Sequence, residues 1–270
     1  MIKLIICVLI LLVLLLLSQG GRKNHPGLED LKGFSYAHRG LHGNGVPENS
    51  MKAFALAKEK GYGIELDIHL LKDGTLAIMH DSALKRTTGS DGVIEDLTSE
   101  DLTSYHLEGT KETIPLFKDV LELYDGAAPI VVELKPYGNN YNALSAKAAE
   151  MLDKYKGKFC VESFDPRCIL WIKKHRPDYV RGQLSENFFK GPTNLPGILK
   201  FILTYTLENF LTRPDFVAYN FDHRKKLTVA IWKKLWKLQP VSWTIKSEED
   251  YKTAVEEGWI PIFEGFEPEK

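Results

Sequence analysis

The sequence has almost no net charge. Its 35 lysines and arginines nearly balance its 36 aspartates and glutamates, which leaves a charge of -1 at pH 7. Nucleic-acid binding calls for a basic surface, so we expect no nucleic-acid partner. Cysteine is also scarce, because three residues in 270 are too few for a disulfide scaffold, and we expect Cys160 and Cys168 to be free thiols.

Other absences narrow the function further. There is no G-x-S-x-G motif, which argues against hydrolases that present a serine nucleophile on a strand-to-helix turn. We also see no internal repeat and no low-complexity segment. What is present is ordinary for a globular chain with a sizeable core, since 44% of the residues are hydrophobic and 26% are charged.

Long apolar runs are missing except at residues 4–17. This run is shorter than the ~20 residues that span hydrocarbon, but its neighbours could extend it, with Lys3 reaching the interface. A signal peptide is the alternative, yet no A-x-A-like cleavage site follows. We therefore predict an uncleaved transmembrane or signal-anchor helix at residues 1–20, a linker at 21–33 and a single-pass, membrane-anchored protein, with the side of the membrane left open.

Short apolar runs alternate with helical stretches after residue 33. Helical stretches such as "NSMKAFALAKEKG" begin with an Asn/Ser cap and end on glycine, and "SEEDYKTAVEEG" opens with Ser247 and Asp250 in a capping-box arrangement. The candidate strands are "FSYAH" (34–38), "GIELD" (63–67), "PIVVEL" (129–134), "KFCVES" (158–163), "YVRGQL" (179–184), "FVAYN" (216–220), "PVSWTI" (240–245) and "IPIFE" (260–264). Eight strands that alternate with helices predict an α/β fold, a (β/α)8 TIM barrel, at residues 34–270. A doubly wound open sheet is the alternative, but it typically has fewer strands. Residues 69–120, between the second and third predicted strands, are more than one connecting helix needs. This length predicts an insertion after the second strand.

Acidic side chains mark the ends of two strands. Glu65 and Asp67 lie two residues apart, so they share one face of the second strand. Glu133 closes the third strand, and the carboxyl ends of barrel strands meet at one rim. Three carboxylates at one rim predict a site for Mg²⁺ or Ca²⁺, both of which prefer oxygen ligands.

Basic and imidazole groups are expected at the same rim. His38 and Arg39 end the first strand, His80 returns from a hairpin-like piece, and Lys135 follows Glu133 by two residues. Arginine binds phosphate through its bidentate fork, and two histidines can divide acid and base roles near neutral pH. This set suits cleavage of a phosphodiester better than acyl transfer.

The motifs "AHRG", "PENS", "ELD", "HD", "LKRTTG", "IPLFKDVL", "ELK", "ESF" and "SWT" occur in this order in the sequence. From about residue 34 to 264 the sequence thereby resembles the glycerophosphodiester phosphodiesterase family. The resemblance implies metal-dependent hydrolysis of small-molecule or lipid-derived glycerophosphodiesters to glycerol 3-phosphate and an alcohol, in lipid metabolism. The roles that it implies are catalysis by His38 and His80, phosphate binding by Arg39 and Lys135, and a metal held by Glu65, Asp67 and Glu133.

Several points stay open at this level. Family members usually follow the last strand with Thr-Asp and a proline, whereas this chain reads "WIPIFEGFEPEK". Trp243 is expected to wall the substrate pocket or to pack inside the barrel. The apolar segment 185–216 predicts either an amphipathic lid or a helix on the barrel wall. Lysophospholipase D-like hydrolysis of membrane lysophospholipids and a non-catalytic phosphodiester-binding barrel are the alternative functions.

Overall fold

Eight parallel strands close into a barrel in the computed structural model, which describes residues 2–191 and 193–269. A ninth strand, β3, pairs antiparallel with β2 outside the ring. The strands are β1 (Tyr36–His38), β2 (Gly63–Leu70), β3 (Leu76–Ile78), β4 (Ile130–Leu134), β5 (Phe159–Ser163), β6 (Arg181–Ser185), β7 (Phe216–Asn220), β8 (Gln239–Ile245) and β9 (Ile260–Phe263). The ring is closed because β1 pairs with both β2 and β9.

Helices lie between most of the strands and cover the outside of the barrel. The α-helices are α1 (Ile2–Ser18), α2 (Met51–Glu59), α3 (Lys85–Thr88), α4 (Phe117–Tyr124), α5 (Tyr141–Leu152), α6 (Pro166–His175), α7 (Gly197–Thr204), α8 (Asn209–Thr212), α9 (Leu227–Ala230) and α10 (Glu248–Glu256). One turn of π-helix, Ile231–Leu235, continues α9. The caps follow the sequence, since Ser50 Oγ accepts a hydrogen bond from Ala53 N and Ser247 Oγ accepts one from Asp250 N. The predicted (β/α)8 barrel is confirmed.

The predicted transmembrane or signal-anchor helix is wrong. Among the helices of residues 2–191 and 193–269, none has both the length and the apolar character that crossing a membrane requires. α1 has 17 residues, about 25 Å at 1.5 Å per residue, whereas the hydrocarbon core is about 30 Å thick. The predicted single-pass anchoring, and the membrane as a partner through this helix, are therefore not supported.

The chain contacts the barrel after α1 ends at Ser18. Thr228 Oγ1 donates a hydrogen bond to Gln19 Oε1 at 2.8 Å, and the guanidinium of Arg22 pairs with Asp215 at 2.6 Å. These contacts attach the segment that follows α1 to the barrel. The division of the chain at residues 20 and 33 stays a prediction.

Large side chains fill the interior of the barrel at the level where the strands begin. Tyr36 and Phe216 are fully buried in the interior, and glycines on neighbouring strands make room for them. A Cβ atom at Gly182 would lie 2.1 Å from the Phe216 ring, and one at Gly63 would lie 2.6 Å from Tyr36. The polar side chains of the predicted site lie above this layer, toward the carboxyl ends of the strands.

The segment between β2 and α4 forms a small core of its own. Its buried residues are Leu71, Ala77, Met79, Leu84, Ile94, Leu102, Leu107 and Ile114. His69 on β2 pairs with Glu95 at 2.7 Å and ties this segment to the barrel. In the apolar 185–216 segment, Ile198 is 66% exposed while Thr204 is fully buried. The lid hypothesis for that segment stays a prediction.

Candidate active site

Three carboxylates meet at the barrel rim. Glu65 and Asp67 point inward from β2, and Glu133 lies beside Asp67 because the two residues are in register across β2 and β4. One oxygen from each side chain lies within 4.8 Å of the others, and all three residues are buried. The backbone register thus builds the acidic cluster that the sequence predicts.

The electrostatics of this cluster favour positive charge. Lys135 Nζ lies 3.1 Å from Asp67 Oδ1 and 2.8 Å from Glu133 Oε1. Burial and the other carboxylates raise the pKa values of Glu65 and Glu133. Burial alone would also raise the pKa of Asp67, but Lys135, His80 and Arg39 outweigh it and hold that pKa well below its usual range. The three carboxylates are buried, and they are more stable in the charged form when positive charge lies beside them. Hard divalent cations prefer carboxylate oxygens as ligands, so these residues fit such an ion.

His38 is oriented by Glu264, which follows β9. The His38 Nδ1 atom lies 2.6 Å from Glu264 Oε2, and because a carboxylate only accepts, Nδ1 is the donor. This leaves His38 Nε2 on the other side of the ring, 3.9 Å from Glu65. Burial lowers the pKa of His38, with the hydrogen bond to Glu264 opposing it, and that bond lowers the pKa of Glu264 to about 2.

A chain of charged contacts connects His80 with Arg39. His80 Nδ1 donates to Asp81 at 2.6 Å, and the Arg86 guanidinium bridges Asp81 and Glu48, reaching Glu48 at 2.6 and 2.9 Å. Glu48, which is buried, accepts two further bonds from Arg39 at 3.0 and 3.1 Å. Burial lowers the pKa of His80 to about 4. We refer to the contacts of these five residues as the Arg86 network.

Two residues of the loop after β1 have a strained backbone conformation. Arg39 and Asn49 both have positive φ, 55° and 53°, in the region that disfavours residues with a Cβ atom. Arg39 N donates to Glu65 Oε2 at 3.1 Å, and Asn49 Nδ2 donates to Asp67 Oδ2 at 2.9 Å. The strained residues thus hold two carboxylates of the cluster in place.

A cavity of about 80 Å³ opens at this rim. It is lined by His38, Arg39, Glu65, His80, Glu133, Glu162, Phe164, Leu184, Trp243, Thr244 and Ile262. Trp243 packs edge-to-face on Phe164, with ring centroids 5.5 Å apart, so it both walls the cavity and packs on the barrel. A groove of about 490 Å³ between α4 and α5 is larger, but it lies away from the strand ends.

The structure brings together all eight residues that the sequence proposes for the site: seven converge on the cluster, and Trp243 forms the opposite wall. Their individual roles stay predictions. Sequence reasoning missed Glu162, Glu264 and the roles of Asp81 and Arg86. Glu162 and Arg86 lie inside the motifs "ESF" and "LKRTTG", which could have pointed to them.

Comparison with known proteins agrees with this arrangement. A model described as the "Glycerophosphoryl diester phosphodiesterase family" matches residues 38–263. A glycerophosphodiester phosphodiesterase of Bacillus altitudinis is 40% identical over 168 residues, which cover 58% of this chain and 68% of that protein. Another, from Caldanaerobacter subterraneus subsp. tengcongensis, is 29% identical over 238 residues, which cover 84% of this chain and 92% of that protein.

Solved structures share the fold. A phosphodiesterase of Oleispira antarctica, in complex with the product sn-glycerol-3-phosphate, has a TM-score of 0.72 to this chain at 22% identity. The match covers 90% of this chain and 95% of that one. At this identity the likeness establishes the fold, and the family model establishes the relationship. The chain belongs to the glycerophosphoryl diester phosphodiesterase family.

Proposed function

We propose that this rim hydrolyses glycerophosphodiesters to sn-glycerol 3-phosphate and an alcohol, with a divalent cation and two histidines. Family membership makes the chain a phosphoric diester hydrolase whose substrate is a small-molecule phosphodiester. The single observation that carries the proposal is the convergence of three buried carboxylates and two imidazoles on one small cavity.

Glu65, Asp67 and Glu133 would hold the cation. Three carboxylate oxygens suit Mg²⁺ and Ca²⁺ alike. When bound there, a divalent cation supplies positive charge that polarises a phosphoryl oxygen. Arg39 and Lys135 would bind the remaining phosphate oxygens, and the neighbouring carboxylates raise the pKa values of both against the opposing effect of burial, so both stay charged.

His38 and His80 would move the protons. Each imidazole uses Nδ1 to donate to a carboxylate, which leaves Nε2 for the substrate. Burial lowers the pKa values of both rings, and the hydrogen bond from each Nδ1 to its carboxylate opposes that shift. A ring in its neutral form would accept the proton of the attacking oxygen. The ring that faces the leaving alcohol would have to be protonated, a form that its carboxylate partner stabilises, and it would give its proton to the alcohol oxygen as the bond from phosphorus breaks.

The test is release of sn-glycerol 3-phosphate from glycerophosphocholine, measured with Mg²⁺, with Ca²⁺ and after EDTA treatment. We expect EDTA to abolish release and the cation to restore it. His38→Ala and His80→Ala should each lower the rate by about 10²–10⁴-fold. His106→Ala is the matched control, because His106 is exposed and outside the cavity.

Release that survives in both histidine variants would refute the acid–base assignment. No release from any diester with either cation would favour the non-catalytic barrel. An arm with lysophosphatidylcholine addresses the lysophospholipase D-like alternative, which would turn over the lipid faster than glycerophosphocholine. The site favours neither alternative, because its acid–base pair is intact and its cavity is small.

A further inference from the structure

A second group of metal-binding side chains lies beside the acidic cluster. It consists of His38 at the end of β1, His42 in the loop that follows, and Glu264 just after β9. One ligand atom from each of the three lies within 4.8 Å of the others. Of the three, only His38 lines the cavity, so the group extends from the proposed active site toward the loop after β1.

His42 has a nitrogen atom that its surroundings do not satisfy. Its Nε2 atom is buried and has no hydrogen-bond partner in the part of the chain that the structure describes. The loop around it is held in place, because His42 N donates to Gly40 O at 3.0 Å, and Gly43 and Val46 exchange two backbone hydrogen bonds at 2.9 and 3.0 Å. A buried ring nitrogen without a partner is costly, and a bound metal ion would remove that cost.

Glu264 and His38 already lie as close as two ligands of one ion. Glu264 Oε2 lies 2.6 Å from His38 Nδ1, so Nδ1 is the ring nitrogen on this side of His38. Lys246 Nζ lies 3.9 Å from the other oxygen of Glu264, but Lys246 is exposed and can turn into the solvent. Glu264 lies in the stretch where this chain departs from the Thr-Asp and proline that are usual in the family, so the family pattern does not supply this carboxylate.

The donor atoms select the kind of ion. Two imidazole nitrogens and one carboxylate oxygen are a common set of protein ligands for zinc. Mg²⁺ and Ca²⁺ prefer oxygen ligands alone, as in the acidic cluster. Bonds to zinc of about 2.1 Å place tetrahedral ligands about 3.4 Å apart. Small rotations of His42 and Glu264, which are both half-buried, would close the present spread to that distance.

We propose that His38, His42 and Glu264 form a second metal site, which binds Zn²⁺ and thereby stops turnover. The metal would take the lone pair of His38 Nδ1, so the proton of the neutral ring would move to Nε2. In that state Nε2 cannot accept a proton, and the ring cannot become an imidazolium while the metal is bound. The site depends only on the three side chains, whereas the inhibition rests on the proposed function.

The first experiment measures binding without turnover. Co²⁺ is the probe, because it replaces zinc and absorbs visible light strongly at a four-coordinate site with nitrogen ligands, but weakly at a six-coordinate oxygen site. Spectra are recorded on the full chain with saturating Mg²⁺, and calorimetry under the same conditions gives the Kd of Zn²⁺. We expect strong absorption by the wild type.

Variants then assign the ligands. His42→Gln should remove the absorption and raise the Kd of Zn²⁺ at least about tenfold, the smallest loss expected when a group that supports a zinc ligand is removed. His106→Gln is the matched control, because His106 is exposed and is not part of the group. If His42→Gln fails to fold by circular dichroism, Glu264→Gln decides by the same measurements, with the same loss expected.

The second experiment measures inhibition of glycerophosphocholine hydrolysis by Zn²⁺, with the divalent cation that supports hydrolysis at saturation. Adding more of that cation should not relieve the inhibition, because the two ions bind at different sites. Without Zn²⁺, His42→Gln should hydrolyse the substrate as fast as the wild type, because His42 lies outside the cavity lining. It should need at least about tenfold more Zn²⁺ for half-inhibition.

Two results would contradict these inferences. Unchanged absorption and an unchanged Kd of Zn²⁺ in His42→Gln would remove the second site. Inhibition that the hydrolysis-supporting cation relieves would place Zn²⁺ in the acidic cluster and remove the effect on turnover. A wild type that binds Zn²⁺ through His42 but hydrolyses no diester removes the proposed function and the inhibition, and it leaves the metal site standing.

Discussion

Arg86 offers the sharpest test of how the insertion supports the catalytic rim. Its guanidinium links Asp81, which holds His80, to Glu48, which holds Arg39. Removing it would loosen Asp81 and Glu48 together, and with them the imidazole that we propose for catalysis and the guanidinium that we propose for phosphate binding. We expect Arg86→Ala to lower kcat/KM without preventing folding, since Arg86 lies at the surface end of the network.

The size of the effect follows from the contacts. Arg86 makes three charged hydrogen bonds, but its side chain is 47% exposed, so water screens them. We assign them about 2 kcal/mol together, in the lower part of the range for charged hydrogen bonds. If that energy positions groups in the transition state, its loss corresponds to about a 30-fold fall in kcat/KM. Arg86→Lys should lose nearly as much, because one ammonium cannot replace a fork that binds two carboxylates.

The assay is steady-state release of sn-glycerol 3-phosphate from glycerophosphocholine at saturating cation, with thermal unfolding measured on the same samples. Lys85→Ala is the control, because Lys85 is the neighbouring residue and pairs only with the exposed Asp91 among the contacts described. Arg86→Ala with kcat/KM within threefold of the wild type would refute the positioning role. Full activity in Arg86→Lys would show that charge alone matters, and an equal loss in Lys85→Ala would indicate disruption of the segment.

Two further predictions concern buried carboxyl groups. Glu264→Gln should lower kcat about tenfold with little change in KM, because an amide orients His38 less firmly than a carboxylate; wild-type kcat in this variant would contradict the pairing. Burial raises the pKa of Glu208 to about 8, and neither carboxyl oxygen has a partner among the described residues. The folded state therefore keeps a proton there that the unfolded state releases above about pH 4.5, and stability falls as the pH rises from about 4.5 to 8. Glu208→Gln should remove this loss, by up to about 4 kcal/mol at pH 8.5 relative to pH 5; urea unfolding at the two pH values measures it, and identical pH dependence in both proteins would contradict it.

The sequence predicted those features of the fold and the site that depend on the order of neighbouring residues. All eight barrel strands overlap the apolar runs that predict them, and Glu65, Asp67 and Glu133 can be located because they lie toward the carboxyl ends of the predicted strands. Parallel strands in a barrel bring their carboxyl ends together whatever the loops do. A spacing of two residues and a strand end were therefore enough to predict the acidic cluster.

The sequence could not predict the side chains whose roles depend on contacts between distant segments. Glu264 meets His38 only because β9 closes the ring onto β1, across 226 residues of sequence. The function of Arg86 depends on how α3 docks against the loop after β1. The length of the N-terminal helix was overestimated, since hydropathy does not show that Gln19 and Arg22, just after the apolar run, bind to the barrel.

Closure of the ring also sets the order in which this enzyme gains its properties during synthesis. β2 and β4 are neighbours in the ring and precede the strands β5 to β9 in the chain, so the residues of the acidic cluster are synthesised early. The clamp on His38 has to wait for the last strand. The return of turnover in a refolding chain should therefore report that the final strand has docked.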